Sequence, residues 1–243
     1  MNVHKVPSVF FGESVIFHYP ARAKTNHAIL VLKGLYGQHI PIHTQSKQSW
    51  DNQLVDLLKN KYDVFLFNTG RREVEEKKEA FAGKTFQQEC DDVCNAFIYC
   101  KENILQGEVI WGSVAMSFGG TVLMGCPDIL QAIQAIVMIG SGCGKSPTTT
   151  KPLVSTLPDT SDLLKSISAC NGSFYFLHGS KDNVVPKESQ IKIYESATKC
   201  FSRGWIEFPS LDHELNDQKN DISYTATVAG KFLTIALSQN NNG

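Results

Sequence analysis

The sequence has 243 residues, of which 42% are hydrophobic and 19% charged, and its formal net charge is −1. This balance is typical of a globular chain with one sizeable core and argues against the basic surface of a nucleic-acid-binding protein. No stretch reaches the roughly 20 apolar residues that span a bilayer. The first eleven residues lack the apolar core of a secretory signal. We therefore expect a cytoplasmic protein with no transmembrane segment and no nucleic-acid partner.

The seven cysteines are odd in number and form no C-x-x-C pair. Such spacing favours reduced thiols over a disulfide framework. Cys90 and Cys94 are four residues apart on a predicted helix and could share a face. No histidine or carboxylate cluster completes a metal ligand set around them, so we expect buried apolar thiols and no metal site.

Strand patterns and helix patterns alternate along the chain. An alternating strand at 14–19, preceded by a short ribbon near 9–11, predicts an antiparallel edge hairpin. A continuous apolar run, typical of a strand covered on both faces, follows at 27–32, and further strands are predicted at 62–67, 109–111, 135–139, 173–177 and 205–208. Helical spacing appears at 50–61, 85–103, 187–200 and 224–237. This alternation predicts an α/β fold with a mostly parallel central sheet and helices on both faces, in one domain covering residues 1–243.

Residues 141–170 differ in amino-acid composition from the rest of the chain. They are rich in Ser, Thr, Pro and Gly, and only 160–167 has a helical pattern. Because this segment is long for a plain connection, we interpret it as a small lid inserted over the edge of the sheet.

The segment 109–121, V-I-W-G-S-V-A-M-S-F-G-G-T, has the pattern of a nucleophile elbow. An apolar strand leads to Ser117, and glycines and a second apolar run follow it. Strand and helix pass close together in such a turn, so the positions two before and two after the serine must be small. Here they hold Ala115 and Gly119, where the usual pattern is G-x-S-x-G. The alternative is that Ser117 is an ordinary helix N-cap.

Two further polar residues follow predicted strands at the same edge of the sheet, where ligands of open α/β sheets gather. Asp182 lies in the turn after the strand at 173–177, and His213 lies in the loop after the last strand. Asp182 could instead cap the helix that begins near Pro186, with Asp212 as the acid, although Asp212 adjoins His213 and should point elsewhere. His213 could also be a surface histidine.

The sequence resembles the α/β-hydrolase superfamily over nearly its whole length. The similar motifs are A-M-S-F-G at the elbow, H-G-S-K-D-N-V-V-P at the acid turn and L-D-H-E at the histidine loop, in the expected order Ser, Asp, His. The acid turn looks most like that of the small esterase, acyl thioesterase and dienelactone-hydrolase-like branches. Dienelactone hydrolases proper carry cysteine where this chain has Ser117.

The resemblance implies a role for each site residue. Ser117 would attack an acyl carbonyl, His213 would move the proton, and Asp182 would orient the imidazole. The N–H groups of Phe118 and Leu35 would stabilise the oxyanion, with Tyr36 as the alternative to Leu35. The family often has His-Gly where this chain has Lys33-Gly34.

We therefore predict a serine hydrolase of the α/β-hydrolase fold that cleaves a carboxylic ester or acyl thioester of a small molecule through an acyl-enzyme, without a cofactor. A peptidase or amidase, and a non-catalytic binding protein of the same fold, are the alternatives. The sequence does not determine the oligomeric state. The expected substrate pocket lies between the loop carrying Tyr36, Phe118 and the apolar residues of the lid, Leu153, Val154, Leu157, Leu163 and Leu164.

Overall fold

The computed structural model describes residues 1–41, 49–76, 79–144, 152–217, 219 and 222–240. The strands in these ranges are β1 (Asn2–Pro7), β2 (Glu13–Tyr19), β3 (His27–Leu32), β4 (Asp63–Asn68), β5 (Ile110–Met116), β6 (Ile133–Ile139), β7 (Ser173–Gly179), β8 (Ser202–Phe208), β9 (Asn216–Asp217) and β10 (Ile222–Ser223). The helices are α1 (Trp50–Leu58), α2 (Phe86–Tyr99), α3 (Phe118–Met124), α4 (Pro127–Ala132), α5 (Pro152–Ser155), α6 (Thr160–Ser168), α7 (Lys187–Ser196) and α8 (Thr225–Asn240).

Eight strands form one sheet in the order β1-β2-β4-β3-β5-β6-β7-β8. Strand β2 runs antiparallel to β1 and β4, and the remaining pairs are parallel. The central strands are buried along nearly their whole length. In β3 and in β5, every residue except the first is buried. This is the burial that continuous apolar runs predict, so the expectation of a mostly parallel sheet is confirmed.

Helices cover both faces of the sheet, as predicted. Helices α1 and α8 pack on one face through a set of buried aliphatic residues, Leu54, Val55, Leu58, Ala229, Leu233 and Leu237. Helices α2, α3, α4, α6 and α7 bury the other face through residues that include Val93, Phe97, Leu123, Ile129, Ile167 and Ile193. No helix in the described ranges is both long and apolar enough to cross a membrane.

The N-terminal hairpin lies earlier than the sequence predicts. The first strand is β1, whereas residues 9–11 belong to the tight turn that joins it to β2, closed by the Ser8 N–H donating to the Gly12 carbonyl at 3.1 Å. Three short elements were not predicted: α4, α5 and the β9–β10 pair. Each has six residues or fewer, too short for a hydrophobic period to stand out.

The described part of segment 141–170 contains α5 and α6, and residues 145–151 lie outside the described residues. Helix α6 turns Leu163 and Ile167 into the core beside α3, α4 and α7. Leu153 of α5 instead packs against Ala80 and Phe81. The assignment of this segment as a lid remains a prediction.

A buried polar cluster holds the loop that follows β3. The Asp51 carboxylate on α1 lies 3.0 Å from Lys33 Nζ and 2.6 Å from His39 Nδ1, and His39 Nε2 lies 2.6 Å from the Tyr19 hydroxyl. Lys33 Nζ also donates to the Gln38 carbonyl at 2.7 Å. Burial raises the pKa of Asp51, but the hydrogen bond from His39 and the charge of Lys33 lower it more, and the net pKa is about 2. The cluster therefore ties Lys33 and His39, both in this loop, to α1.

The cluster predicts a specific acid dependence of stability. A carboxylate whose pKa is lower in the folded than in the unfolded protein stabilises the fold at pH values above its unfolded-state pKa. This stabilisation is lost as the pH falls through its folded-state pKa. A shift from 3.8 to about 2 corresponds to about 2 kcal/mol. Between pH 5 and pH 2 the native free energy of unfolding should therefore fall by about 2 kcal/mol more than that of Asp51→Asn.

Chemical denaturation at each pH measures this difference. Asp56→Asn on the exposed face of the same helix is the matched control and should follow the native curve. Parallel curves for native protein and Asp51→Asn would contradict the assignment of this stabilisation to Asp51.

Candidate active site

Ser117 occupies a strained turn between β5 and α3. Its backbone has φ 53° and ψ −125°, a region that side chains rarely adopt. The Ser117 N–H donates to the Ile139 carbonyl at the end of β6, at 2.7 Å. Although Ser117 precedes the first residue of α3, its hydroxyl makes no capping hydrogen bond to the helix. The turn presents the hydroxyl at the carboxyl edge of the sheet.

The small residues around the turn have a steric reason. A Cβ on Gly119 would lie 2.5 Å from the Leu32 carbonyl oxygen and 2.6 Å from that of Lys33. Helix α3 therefore passes against the end of β3 with no room for a side chain at this position. Ala115 is fully buried inside β5 and is accommodated there, so the departure from glycine two residues before Ser117 leaves the turn intact.

His213 reaches Ser117 from the loop after β8. Its Nε2 lies 2.9 Å from Ser117 Oγ, and only 11% of its side chain is exposed. Gly140, at the end of β6, makes room for this ring. A Cβ there would lie 2.9 Å from His213 Nδ1, and the φ of Gly140 is +54°. The imidazole is thus held against the end of β6 and is largely shielded from solvent.

Asp182 lies on the other side of the imidazole. Its Oδ2 is 2.9 Å from His213 Nδ1, and its Oδ1 accepts the N–H groups of Val184 and Val185 at 2.9 and 3.0 Å. Burial raises the pKa of Asp182, but the hydrogen bond from His213 and the two amides outweigh burial and leave the pKa below its usual range. An ionised Asp182 accepts a hydrogen bond from Nδ1–H of His213, so Nε2 is free to accept from the Ser117 hydroxyl.

Asp212, the other candidate acid, makes different contacts. Its Oδ1 accepts the N–H groups of Glu214 and Asn216 at 3.0 and 2.8 Å. Asp212 therefore shapes the loop that carries His213, whereas Asp182 faces the imidazole.

Two buried residues extend this chain of contacts: His178, which the sequence suggests is a turn residue, and Gln190, which the sequence reasoning missed. Gln190 on α7 donates from Nε2 to Asp182 Oδ2 at 2.8 Å and to the Val185 carbonyl at 2.9 Å. Its amide nitrogen faces two acceptors, which fixes the amide orientation. The Gln190 Oε1 therefore accepts from His178 Nδ1 at 3.1 Å. The sequence signal was weak, a glutamine eight residues after Asp182 on a mostly polar helix.

The loop after β3 approaches Ser117 from the opposite side. A Cβ on Gly34 would lie 3.3 Å from Ser117 Cβ. The Gly37 N–H donates to the Gly34 carbonyl at 2.8 Å, closing a turn in which Tyr36 has φ 58°. Leu35 lies in this turn with its side chain exposed. The predicted oxyanion residues Leu35 and Phe118 thus lie on segments that flank Ser117.

The residues predicted to form the substrate pocket separate into two groups. Tyr36 and Phe118 line a cavity of about 30 Å³ beside the elbow, and Leu153 lines it as well. Leu157, just before α6, and Leu163 on α6 are 4% and 1% exposed and belong to the hydrophobic core. Neither residue lines this cavity.

The cysteines and acidic residues form no metal centre in the described ranges. All seven cysteines are free thiols. No group of three or more His, Cys, Asp or Glu side chains in the described part of the chain is arranged to hold a metal ion.

No protein-family model and no curated protein matches the sequence. Solved structures do match its fold over nearly the full length. Est1E from Butyrivibrio proteoclasticus has a TM-score of 0.68 at 10% identity, covering 98% of this chain and 99% of that one. A structure from a study of carboxylesterases of Nitrososphaera gargenis has a TM-score of 0.65 at 14% identity, with 97% and 100% covered.

A third similar structure is alpha/beta hydrolase domain-containing protein 10 from mouse, with a TM-score of 0.65 at 12% identity, covering 98% of this chain and 99% of that one. At 10–14% identity, these three structures are similar to this chain in fold alone. Together with the sheet topology, they show that this chain has the α/β-hydrolase fold.

Proposed function

We propose that the protein is a serine hydrolase that cleaves a carboxylic ester or acyl thioester. The observation that carries the proposal is the pair of 2.9 Å contacts through which His213 joins Ser117 to Asp182. A hydroxyl, an imidazole and a carboxylate in this geometry are the groups that nucleophilic acyl transfer requires. A non-catalytic protein of this fold has no need to keep all three in line.

The reaction follows from the positions of the protons. Ser117 Oγ attacks the acyl carbonyl carbon while His213 Nε2 takes the hydroxyl proton. As the tetrahedral intermediate collapses, the bond to the leaving group breaks, and His213 returns the proton to the departing alcohol or thiol. Water then attacks the acyl-enzyme, again giving its proton to His213, and the carboxylic acid leaves as Ser117 recovers its hydrogen.

The developing negative charge needs donors on the side away from His213. The backbone N–H of Phe118 and that of Leu35, with Tyr36 as the neighbouring alternative, are the groups we assign to this role. Support comes from the close approach of Gly34 to Ser117 and from the buried Lys33–Asp51 pair, which anchors that loop.

The choice of an ester over an amide rests on the similar folds. Ferulic acid has been described bound to Est1E, and the Nitrososphaera structure comes from a study of carboxylesterases. These names support an oxygen leaving group for this chain, and the thioester alternative rests on the sequence resemblance alone.

Replacement of the nucleophile is the first test. Ser117→Ala should lose labelling by a fluorophosphonate probe and reduce kcat for p-nitrophenyl ester hydrolysis by at least about 10⁵-fold, because no other group forms the acyl-enzyme. Ser113→Ala, a fully buried serine on the same strand, is the control and should keep both. Native protein labelled no more than Ser117→Ala would end the proposal.

The identity of the acid is tested by two amide substitutions. Asp182→Asn should lower kcat by about 10⁴-fold with little change in KM, because the imidazole loses its orienting acceptor. Asp212→Asn retains a side-chain oxygen for the Glu214 and Asn216 amides and should keep kcat within about tenfold. Steady-state kinetics on one ester substrate compares them. The reverse ranking would assign the acid to Asp212.

Gln190 should act as a positioning residue for Asp182. Gln190→Met removes one hydrogen bond to the carboxylate at nearly constant volume and should lower kcat by about tenfold with KM unchanged. In the Asp182→Asn background the same substitution should have much less effect, because its influence passes through Asp182. Equal effects of Gln190→Met on kcat in both backgrounds would show that Gln190 acts independently of the acid.

A further inference from the structure

The cavity beside the elbow has a fixed position relative to the proposed nucleophile. Its wall includes Phe118 and Gly119, which directly follow Ser117, and Gly34 and Tyr36 of the loop after β3. These are the segments between which the carbonyl of an acyl group must lie if Phe118 and the loop provide the oxyanion donors. A substituent on that carbonyl carbon therefore has this cavity beside it.

The outer wall of the cavity is apolar and packed. Phe81 and Leu153 are 4% and 2% exposed and form a small cluster with Tyr36 and Phe118. The Tyr36 and Phe81 rings lie 5.4 Å apart between centroids. The end of α5 is held to the start of α2 because the Phe86 N–H donates to the Thr156 hydroxyl at 2.8 Å. This bond holds the backbone that carries Leu153 beside the cavity.

The inner end of the cavity is polar but already paired. Thr69 and Glu89 line it, and the Thr69 hydroxyl donates to Glu89 Oε2 at 2.8 Å. Lys84 Nζ lies 2.6 Å from the same Glu89 oxygen and is itself fully buried. Lys84 Nζ also lies 2.7 Å from Asp92 Oδ2, and the charge of Arg71 acts on both carboxylates. Two positive charges therefore balance the two negative ones, and the cavity offers no unpaired charge to a charged acyl group.

The volume then limits what the cavity accepts. An apolar cavity of about 150 Å³ holds benzene, whereas this one has about 30 Å³. That is room for one or two carbon atoms beyond the carbonyl. We propose that this cavity is the acyl subsite and that it takes an uncharged acyl group of two or three carbons, acetyl or propionyl. The inference rests on the proposed hydrolase function and adds the size and charge of the acyl group.

The first experiment measures kcat/KM of the native protein for p-nitrophenyl acetate, butyrate and hexanoate, each corrected by the rate of Ser117→Ala. The leaving group is constant, so the comparison reports the acyl group alone. We expect kcat/KM to fall by at least about tenfold from acetate to hexanoate. A value that stays constant or rises with chain length overturns the subsite assignment.

The second experiment enlarges the cavity. Leu153→Ala should raise the ratio of kcat/KM for hexanoate to that for acetate by at least about tenfold, because it removes part of the packed wall. Leu163→Ala is the matched control, a leucine of equal burial on α6 that does not line the cavity, and it should leave the ratio unchanged. If Leu153→Ala does not fold, Val93→Ala, which lines the cavity from α2, takes its place with the same expected direction.

The outcomes separate the two proposals. Ser117-dependent hydrolysis with no preference for short chains, or a ratio that moves in Leu163→Ala and not in Leu153→Ala, overturns the acyl subsite and leaves the hydrolase function standing. Absence of Ser117-dependent hydrolysis of oxygen esters and acyl thioesters at every chain length overturns the hydrolase function, and the subsite with it.

Discussion

The imidazole of His213 is the point at which three distant parts of the chain meet. It lies 2.9 Å from Ser117 at the end of β5 and 2.9 Å from Asp182 after β7, and it enters from the loop after β8. The parallel sheet makes this possible, because the carboxyl ends of its strands meet at one edge. Gly140 provides the space that the ring occupies. A change that moves any of these strand ends relative to the others separates the three groups.

Each side of this arrangement has its own support. On the acid side, Asp182 accepts from His213, Gln190, Val184 and Val185, so that the carboxylate is held in one orientation. On the other side of Ser117, the Lys33–Asp51–His39 cluster anchors the loop that carries Gly34 and Leu35. Hydrogen bonds that involve a charged group are stronger than those between neutral groups. Here one set orients the Asp182 side chain, and the other orients the backbone of the loop beside Ser117. The geometry around the Ser117 hydroxyl therefore depends both on the hydrogen bonds to Asp182 and on the Lys33–Asp51–His39 cluster.

The fold was predictable because its strands are buried on both faces and read as continuous apolar runs. The elbow was predictable because its steric demand leaves small residues on both sides of Ser117, which a sequence shows directly. The contacts of Gln190 were not predictable, since they depend on where α7 packs. The lid residues Leu157 and Leu163 were assigned to the substrate pocket from the loop-like composition around them. In the structure both are buried in the core, Leu163 because it lies four residues before Ile167 on the packed face of α6 and Leu157 in the segment that leads into this helix.

The central claim is that His213 activates Ser117 as a nucleophile. The most direct measurement is the second-order rate constant for phosphonylation by a fluorophosphonate, compared between native protein and His213→Gln, with the labelled residue mapped by peptide mass spectrometry. The account predicts a label on Ser117 alone and a rate constant at least about 10³-fold lower in His213→Gln. Equal rate constants, or a label on a residue other than Ser117, would contradict it.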